Sequence, residues 1–464
     1  MRNYLKHLVQ LTPTPIMEFA EWVYDLVPPE RRYGRPYRDA LSLFEESDDW
    51  SLDELRSYQE KRLRLLLEQC YANVPYYREV FREAGLTPDD IGSADDLGKL
   101  PILTKDTVRR RKQDLLAENL SAVGCEPAHT SGSTGTPLDF AMDRTTRAVE
   151  RAFYLRRLRW LGFRRGDKLA FFQGRPLTDP TRLYRYFPGS RQLRISFHRS
   201  DEARLEQMFE ALARFEPDFI DGWPSCLYIL ARWMERHNKS IPAPKYLVTG
   251  SETLYPLMRE YIEKIFSARV IDCYGQEESV AVAAQCERAE GYHIQAEMGL
   301  VELIPCGEGL WEIVGTCLHN LAMPFVRYRT GDLAVKGEQE CPCGRKHPVL
   351  SRIVGREGDF VLTPENNLIS PLSLHFSFYH LDEISEGQII QEDIDRLRVK
   401  VVPVAGISQA TKAILIHELK SRLESPSMDL IVDVVEEIPR SSSGKKPFVI
   451  SRLERQDQTQ FASR

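Results

Sequence analysis

Apolar residues recur at Leu63, Leu66, Leu67 and Cys70 behind a capping box, Ser51-Leu52-Asp53-Glu54. This spacing predicts a helix that runs to about Asn73 and stops at Val74-Pro75-Tyr76-Tyr77. Upstream, residues 1 to about 50 mix Pro, Arg and aromatics with weak periodicity and read as short helices lying on a larger body. Leu100-Pro101-Ile102-Leu103-Thr104-Lys105 reads as a turn capping another helix, whose Arg109, Arg110, Arg111 and Lys112 form a solvated face. Leu138-Asp139-Phe140-Ala141-Met142 alternates like a strand, so the polar stretch before it reads as the tip of a hairpin. An amphipathic helix is predicted next, from about Arg147 to Leu161.

Short β-rich runs then alternate with helices: Leu169-Ala170-Phe171-Phe172, Phe219-Ile220-Asp221, Tyr246-Leu247-Val248-Thr249 and Val270-Ile271-Asp272-Cys273-Tyr274. That order predicts a mainly parallel sheet covered on both faces. Ligands on such sheets sit at the carboxyl ends of the strands. Here those ends read Asp221-Gly222-Trp223-Pro224, Thr249-Gly250-Ser251-Glu252 and Tyr274-Gly275-Gln276-Glu277-Glu278. The pattern changes near residue 355. An alternating strand over Leu397 to Val401, a helix over about Thr411 to Leu423 and a strand over Leu430 to Val435 predict a small α+β domain of its own.

Composition narrows the class. The chain has 464 residues, 62 Lys and Arg against 68 Asp and Glu, and a net charge of −6, so no global positive field calls for nucleic acid or an anionic membrane. No apolar run is long enough to span a bilayer and the first residues lead into no signal-peptide core, which makes the cytoplasm the expected location. Nine cysteines, an odd number, fit reduced thiols or metal ligands better than a disulfide framework.

The chemistry centres on His129-Thr130-Ser131-Gly132-Ser133-Thr134-Gly135-Thr136-Pro137. Glycines let backbone N–H groups approach an anion, and the hydroxyls add donors, so the stretch suits phosphate. It is neither a Walker loop, lacking Lys after the second glycine, nor a dinucleotide fingerprint. Four more signatures follow in order: Tyr274-Gly275-Gln276-Glu277-Glu278, Tyr328-Arg329-Thr330-Gly331-Asp332-Leu333, Gly355-Arg356-Glu357-Gly358-Asp359, and Pro439-Arg440-Ser441-Ser442-Ser443-Gly444-Lys445-Lys446. From about Leu55 to Ile450 the chain resembles the adenylate-forming superfamily of acyl-CoA synthetases, luciferases and peptide-synthetase adenylation domains. Within it, Met323-Pro324-Phe325-Val326-Arg327-Tyr328-Arg329-Thr330-Gly331-Asp332 is most similar to the phenylacetate-CoA ligase family and its capsular-polysaccharide relatives.

The resemblance implies an α/β fold with a large multi-layered adenylation domain with parallel-rich sheets (1–354) and a small, mobile α+β C-terminal domain (355–464). It implies a carboxylic acid, ATP and Mg2+ as reactants, acyl-AMP as intermediate and CoA as the expected acceptor. An amine or hydroxyl acceptor is the alternative, and a degenerate nucleotide-binding homologue a further one. Thr130, Ser131, Gly132, Ser133, Thr134, Gly135 and Thr136 would cradle the β- and γ-phosphates, and Glu278 would hold Mg2+. Asp332, at the end of a strand, would accept the ribose hydroxyls. Tyr274 and the turn Gly250-Ser251-Glu252 would border the adenine, and Gly275 and Arg356 would complete the nucleotide-binding set. Lys445 would bridge the carboxylate and the α-phosphate as charge builds there. Two positions depart from the family: Glu277 stands where Thr is common, and Gly358 where the hinge is commonly acidic. Trp223, Pro224, Ser225 and Phe197-His198 would line a pocket for an aryl or medium apolar acid. Cys286, His293, Cys341 and Cys343 fit a closed Cys3His structural zinc site, with His347, Cys306 and Cys317 in reserve.

Overall fold

The computed structural model describes residues 13–130, 138–173, 176–197, 201–307, 309–337, 341–356, 360–365, 367–369, 371–378, 381–440 and 446–453. The capping box closes as read: the Glu54 N–H donates to Ser51 Oγ at 3.3 Å, the Ser51 N–H donates to Glu54 Oε2 at 2.8 Å, and the helix runs Leu52–Asn73. Its Leu63, Leu66, Leu67 and Cys70 are fully buried. The hairpin also forms, with β1 (Glu126–His129) antiparallel to β2 (Asp139–Met142). Asp143 then caps the helix Arg144–Arg159 by accepting from the Thr146 N–H at 2.7 Å.

Twelve strands form one sheet. Its parallel half runs β8 (Arg269–Gly275), β7 (Tyr246–Gly250), β6 (Phe219–Gly222), β3 (Leu169–Gln173), β5 (Gln192–Ser196), and the antiparallel edge strand β4 (Tyr184–Phe187) closes that side. Alternate residues go to opposite layers, as a two-faced sheet requires. Phe219, Val248 and Ile271 pack against Leu158 of the helix Arg144–Arg159. Ile220, Leu247 and Val270 pack with Leu212, Leu230 and Ile262 of the helices Glu202–Phe215, Pro224–Arg236 and Pro256–Phe266. Beyond β8 the sheet continues antiparallel through β9 (Val282–Gln285), β10 (Tyr292–Ile294), β14 (Val349–Arg356), β13 (Tyr328–Lys336), β12 (Leu310–Cys317) and β11 (Gly299–Gly307), so the whole sheet is mixed.

A second core forms after residue 360. Strands β15 (Ile384–Asp393), β16 (Arg396–Pro403), β17 (Asp429–Val434) and β18 (Val449–Ser451) pair in the order β17-β16-β15-β18. Their Ile389, Leu397 and Val399 close on Leu415, Leu419 and Leu423 of the helix Gln409–Leu423. This layer docks on the large one. The Arg232 guanidinium donates to the Ile384 carbonyl at 2.6 Å, and the Tyr255 ring stacks on His375 at 4.5 Å.

Candidate active site and cysteine cluster

Asp332 lies in the middle of β13, not at a strand end as expected, and β14 places Arg356 directly opposite it. The Arg356 Nε donates to Asp332 Oδ1 at 3.0 Å, and the Tyr274 hydroxyl at the end of β8 donates to Oδ2 at 2.7 Å. Gln276 adds a longer contact to the same oxygen, 3.4 Å. Three of the predicted residues, Asp332, Arg356 and Tyr274, therefore meet at one carboxylate. Burial, reinforced by that carboxylate, holds the Tyr274 phenol well above its ordinary value, so it stays a donor.

Glu278 follows the same strand end. It is buried and accepts from the Tyr328 hydroxyl at 2.8 Å. Beside it lie residues that no motif marks. Ser279 donates to Glu150, and Arg147 binds Glu150 at 3.0 Å while approaching Glu277 at 3.9 Å. The first turns of the helix Arg144–Arg159 are thus tied to the loop carrying Glu277 and Glu278. Burial raises the Glu150 carboxyl above the usual range despite Arg147. The extra carboxylate at Glu277 has a counter-charge within reach.

Thr130 closes the hairpin base, donating its N–H to the Leu138 carbonyl and accepting the Leu138 N–H at its hydroxyl, both at 2.9 Å. Ser131, Gly132, Ser133, Thr134, Gly135 and Thr136 lie outside the described residues, as do Gly358, His198 and Lys445. The neighbours of Lys445 are described. The Lys446 N–H donates to Glu252 Oε1 at 3.1 Å, and Glu252 Oε2 accepts the Ser225 N–H at 3.1 Å. Arg440 sits over the rings of Phe197 and Trp223, 5.3 and 5.8 Å from their centroids, and reaches Ser225 Oγ at 3.4 Å. Phe197 and Trp223, expected at the acid pocket, carry Arg440 over their faces, and Glu252 ties Ser225, in the first turn of the helix Pro224–Arg236, to Lys446. Gly250 ends β7, where a Cβ would meet the Cys273 carbonyl at 3.0 Å; Ser251 follows with φ 70°, and Gly275 ends β8. A cavity lined by Tyr228, Tyr255, Phe378, Phe448 and Glu386 opens beside Lys446.

Cys286, just past the end of β9, His293 in β10, and Cys341 and Cys343 in the β13–β14 connection come together, with their ligand atoms all within 4.8 Å of one another. Cys286 Sγ is 3.7 Å from Cys341 Sγ, and Cys343 Sγ is 3.4 Å from His293 Nε2. The Arg288 N–H donates to Cys286 Sγ at 3.4 Å, and Gly344, with φ 88°, turns the chain after Cys343. Burial, then the nearby His347, Arg345 and Arg156, lower the His293 imidazole to about 4, leaving it neutral near pH 7. The reserve residues do not join. His347 pairs with Glu297 at 3.0 Å, Cys306 is exposed, and Cys317 is buried outside the cluster.

The chain matches Protein CapK of Staphylococcus aureus at 25% identity over 435 residues, covering 91% of this chain and 94% of that one. It matches the phenylacetate-coenzyme A ligase of Pseudomonas putida at 29% over 416 residues, covering 84% and 92%. The solved structure of 2-hydroxyisobutyryl-CoA ligase in the postadenylation state, in complex with 2-HIB-AMP, superposes with a TM-score of 0.69 at 22% identity, covering 90% and 94%. The fold is that of the adenylate-forming CoA ligases. Residues 361–452 match the CapK C-terminal domain, so the small domain is CapK-like.

Proposed function

We propose that this protein activates a carboxylic acid with ATP as acyl-AMP, releasing pyrophosphate, and passes the acyl group to CoA. The observation that carries this reading is the convergence of Asp332, Tyr274 and Arg356 beside Glu278, with Arg440 and Lys446 docked across the neighbouring strand ends. Asp332 would receive the ribose hydroxyls, and the loop Thr130–Thr136 would hold the terminal phosphates. Lys445 would meet the charge that develops as the acid oxygen attacks the α-phosphorus. Glu278 would hold Mg2+, which neutralises phosphate charge. Incubation with ATP, Mg2+ and a panel of acids, followed by mass spectrometry, should give acyl-AMP with at least one acid and its thioester once CoA is added. A product formed only with an amine or hydroxyl acceptor would reassign the second step.

Asp332→Ala should weaken ATP binding about 10- to 100-fold, since hydrogen bonds to a charged group are worth roughly 1.5 to 3 kcal/mol. Calorimetric titration with a non-hydrolysable ATP analogue checks this, and unchanged affinity would leave Asp332 only its structural contacts. Arg147 would balance Glu277 beside the phosphates. On that reading Arg147→Ala lowers ATP affinity about 10-fold and Glu277→Gln raises it, because the first exposes and the second removes a negative charge near phosphate. Affinities moving together in the two variants would contradict it.

The cysteine cluster would hold structural zinc. Two thiolates each about 2.3 Å from one ion at a tetrahedral angle stand roughly 3.8 Å apart, close to the 3.7 Å between Cys286 and Cys341. Four protein ligands leave no open position for a reactant.

A further inference from the structure

The helix Thr14–Leu26 is turned inside out. Its one buried residue is Asp25, which accepts the N–H groups of Gly189 and Ser190 at 2.7 and 3.1 Å and pairs with Arg32 at 3.6 Å. Its other two acidic residues also pair with groups of the protein, Glu21 with 43% of its side chain still exposed. Glu21 binds Arg185 at 2.8 Å and accepts from the Thr178 hydroxyl at 2.5 Å, while Glu18 lies 3.4 Å from Arg182. What points to solvent is apolar: Ile16 and Phe19 are 57% and 64% exposed, followed by Trp22, Val23, Tyr24, Leu26 and Val27.

A surface helix ordinarily buries its apolar stripe and shows its charges. This one uses its carboxylates to seat itself at the β4 edge, and among the described residues nothing covers the stripe. The exposed positions 16, 19, 23 and 26 repeat at intervals of three and four, the spacing that one facing helix fills. With large side chains near 200 Å2 each, the seven exposures leave on the order of 700 Å2 of surface, above the usual largest patch of a monomer.

We infer that this stripe is the contact between two copies of the chain, formed by antiparallel pairing of the two Thr14–Leu26 helices about a two-fold axis. Two such faces would bury about 1,400 Å2, inside the roughly 1,200 to 2,000 Å2 of a specific interface. The stripe is its own complement because none of its seven residues is charged: Asp25 and Glu18 are engaged behind it, and Glu21, 43% exposed, is paired with Arg185. Antiparallel pairing sets Phe19 against Val23 of the partner and Ile16 against Leu26 of the partner.

Sedimentation velocity of the full chain over a micromolar concentration series tests this. The wild type should sediment as a dimer, and Phe19→Glu should halve the sedimenting mass while the far-ultraviolet circular dichroism at low temperature stays unchanged, since Phe19 is 64% exposed in the single copy. Phe19→Glu combined with Val23→Lys should recover dimer, because each new Glu then meets a new Lys across the axis. A wild type that stays monomeric throughout would overturn the inference, whether or not it floats with lipid vesicles or retains another protein. So would a dimer that Phe19→Glu does not weaken, and recovery failing in the double variant would overturn the antiparallel pairing.

Discussion

Replacing Lys445 by Ala is expected to slow acyl-AMP formation by a factor on the order of 100 to 1,000, as removal of a group that meets developing charge does. ATP affinity should stay within about twofold, because the interaction matters in the transition state rather than in the bound nucleotide. The surroundings sharpen the expectation. Arg440 is held between aromatic faces and Ser225, the Lys446 N–H is held by Glu252, and the Lys446 ammonium pairs with Glu386 within the small domain. Lys446→Ala should therefore loosen the loop and cost far less than Lys445→Ala. Single-turnover measurement of acyl-AMP in the two variants decides the register: the reverse order would move the reactive amine to Lys446.

The second large effect concerns stability. Cys341→Ser or Cys343→Ser should remove about one zinc per chain and lower the melting temperature by on the order of 10 °C, since metal bound only by the folded state contributes folding free energy. The wild type stripped by a strong chelator should show the same drop before it loses activity in excess Mg2+. Cys306→Ser, at an exposed position outside the cluster, should keep both metal and melting temperature. Elemental analysis with thermal melts checks this, and metal-free wild type with unchanged melting after chelation would remove zinc from the account.

What the sequence made legible follows from how local each signal is. The capping box at Ser51, the parallel strands at 169, 219, 246 and 270, and the helix Gln409–Leu423 depend on spacing or composition within one segment, and all form. The cysteine and histidine residues were found by type, though β9, β10 and the β13–β14 connection had to fold before they met. β9 and β10, in the antiparallel half of the sheet, left no such trace. β9 and β10 are buried at every position, so the period of two that marks a half-exposed strand is absent. The Arg147, Glu150 and Ser279 contacts are equally silent, because Glu150 and Ser279 stand 129 positions apart and neither belongs to a motif. The aromatic residues at 197 and 223 were legible as a cluster but not as the seat of Arg440, whose approach belongs to the packing of one domain on the other. The N-terminal segment was legible only as short helices on a larger body; that the apolar residues of the helix Thr14–Leu26 face solvent left no sign in its weak periodicity.

Acid-dependent exchange of labelled pyrophosphate into ATP tests the central claim most directly, because it reports reversible acyl-AMP formation without requiring the acceptor to be known. The account predicts exchange with at least one acid from a broad panel, abolished by Lys445→Ala and weakened by Asp332→Ala. Tight ATP binding with no exchange for any acid, in protein that is folded and metal-replete, would contradict it.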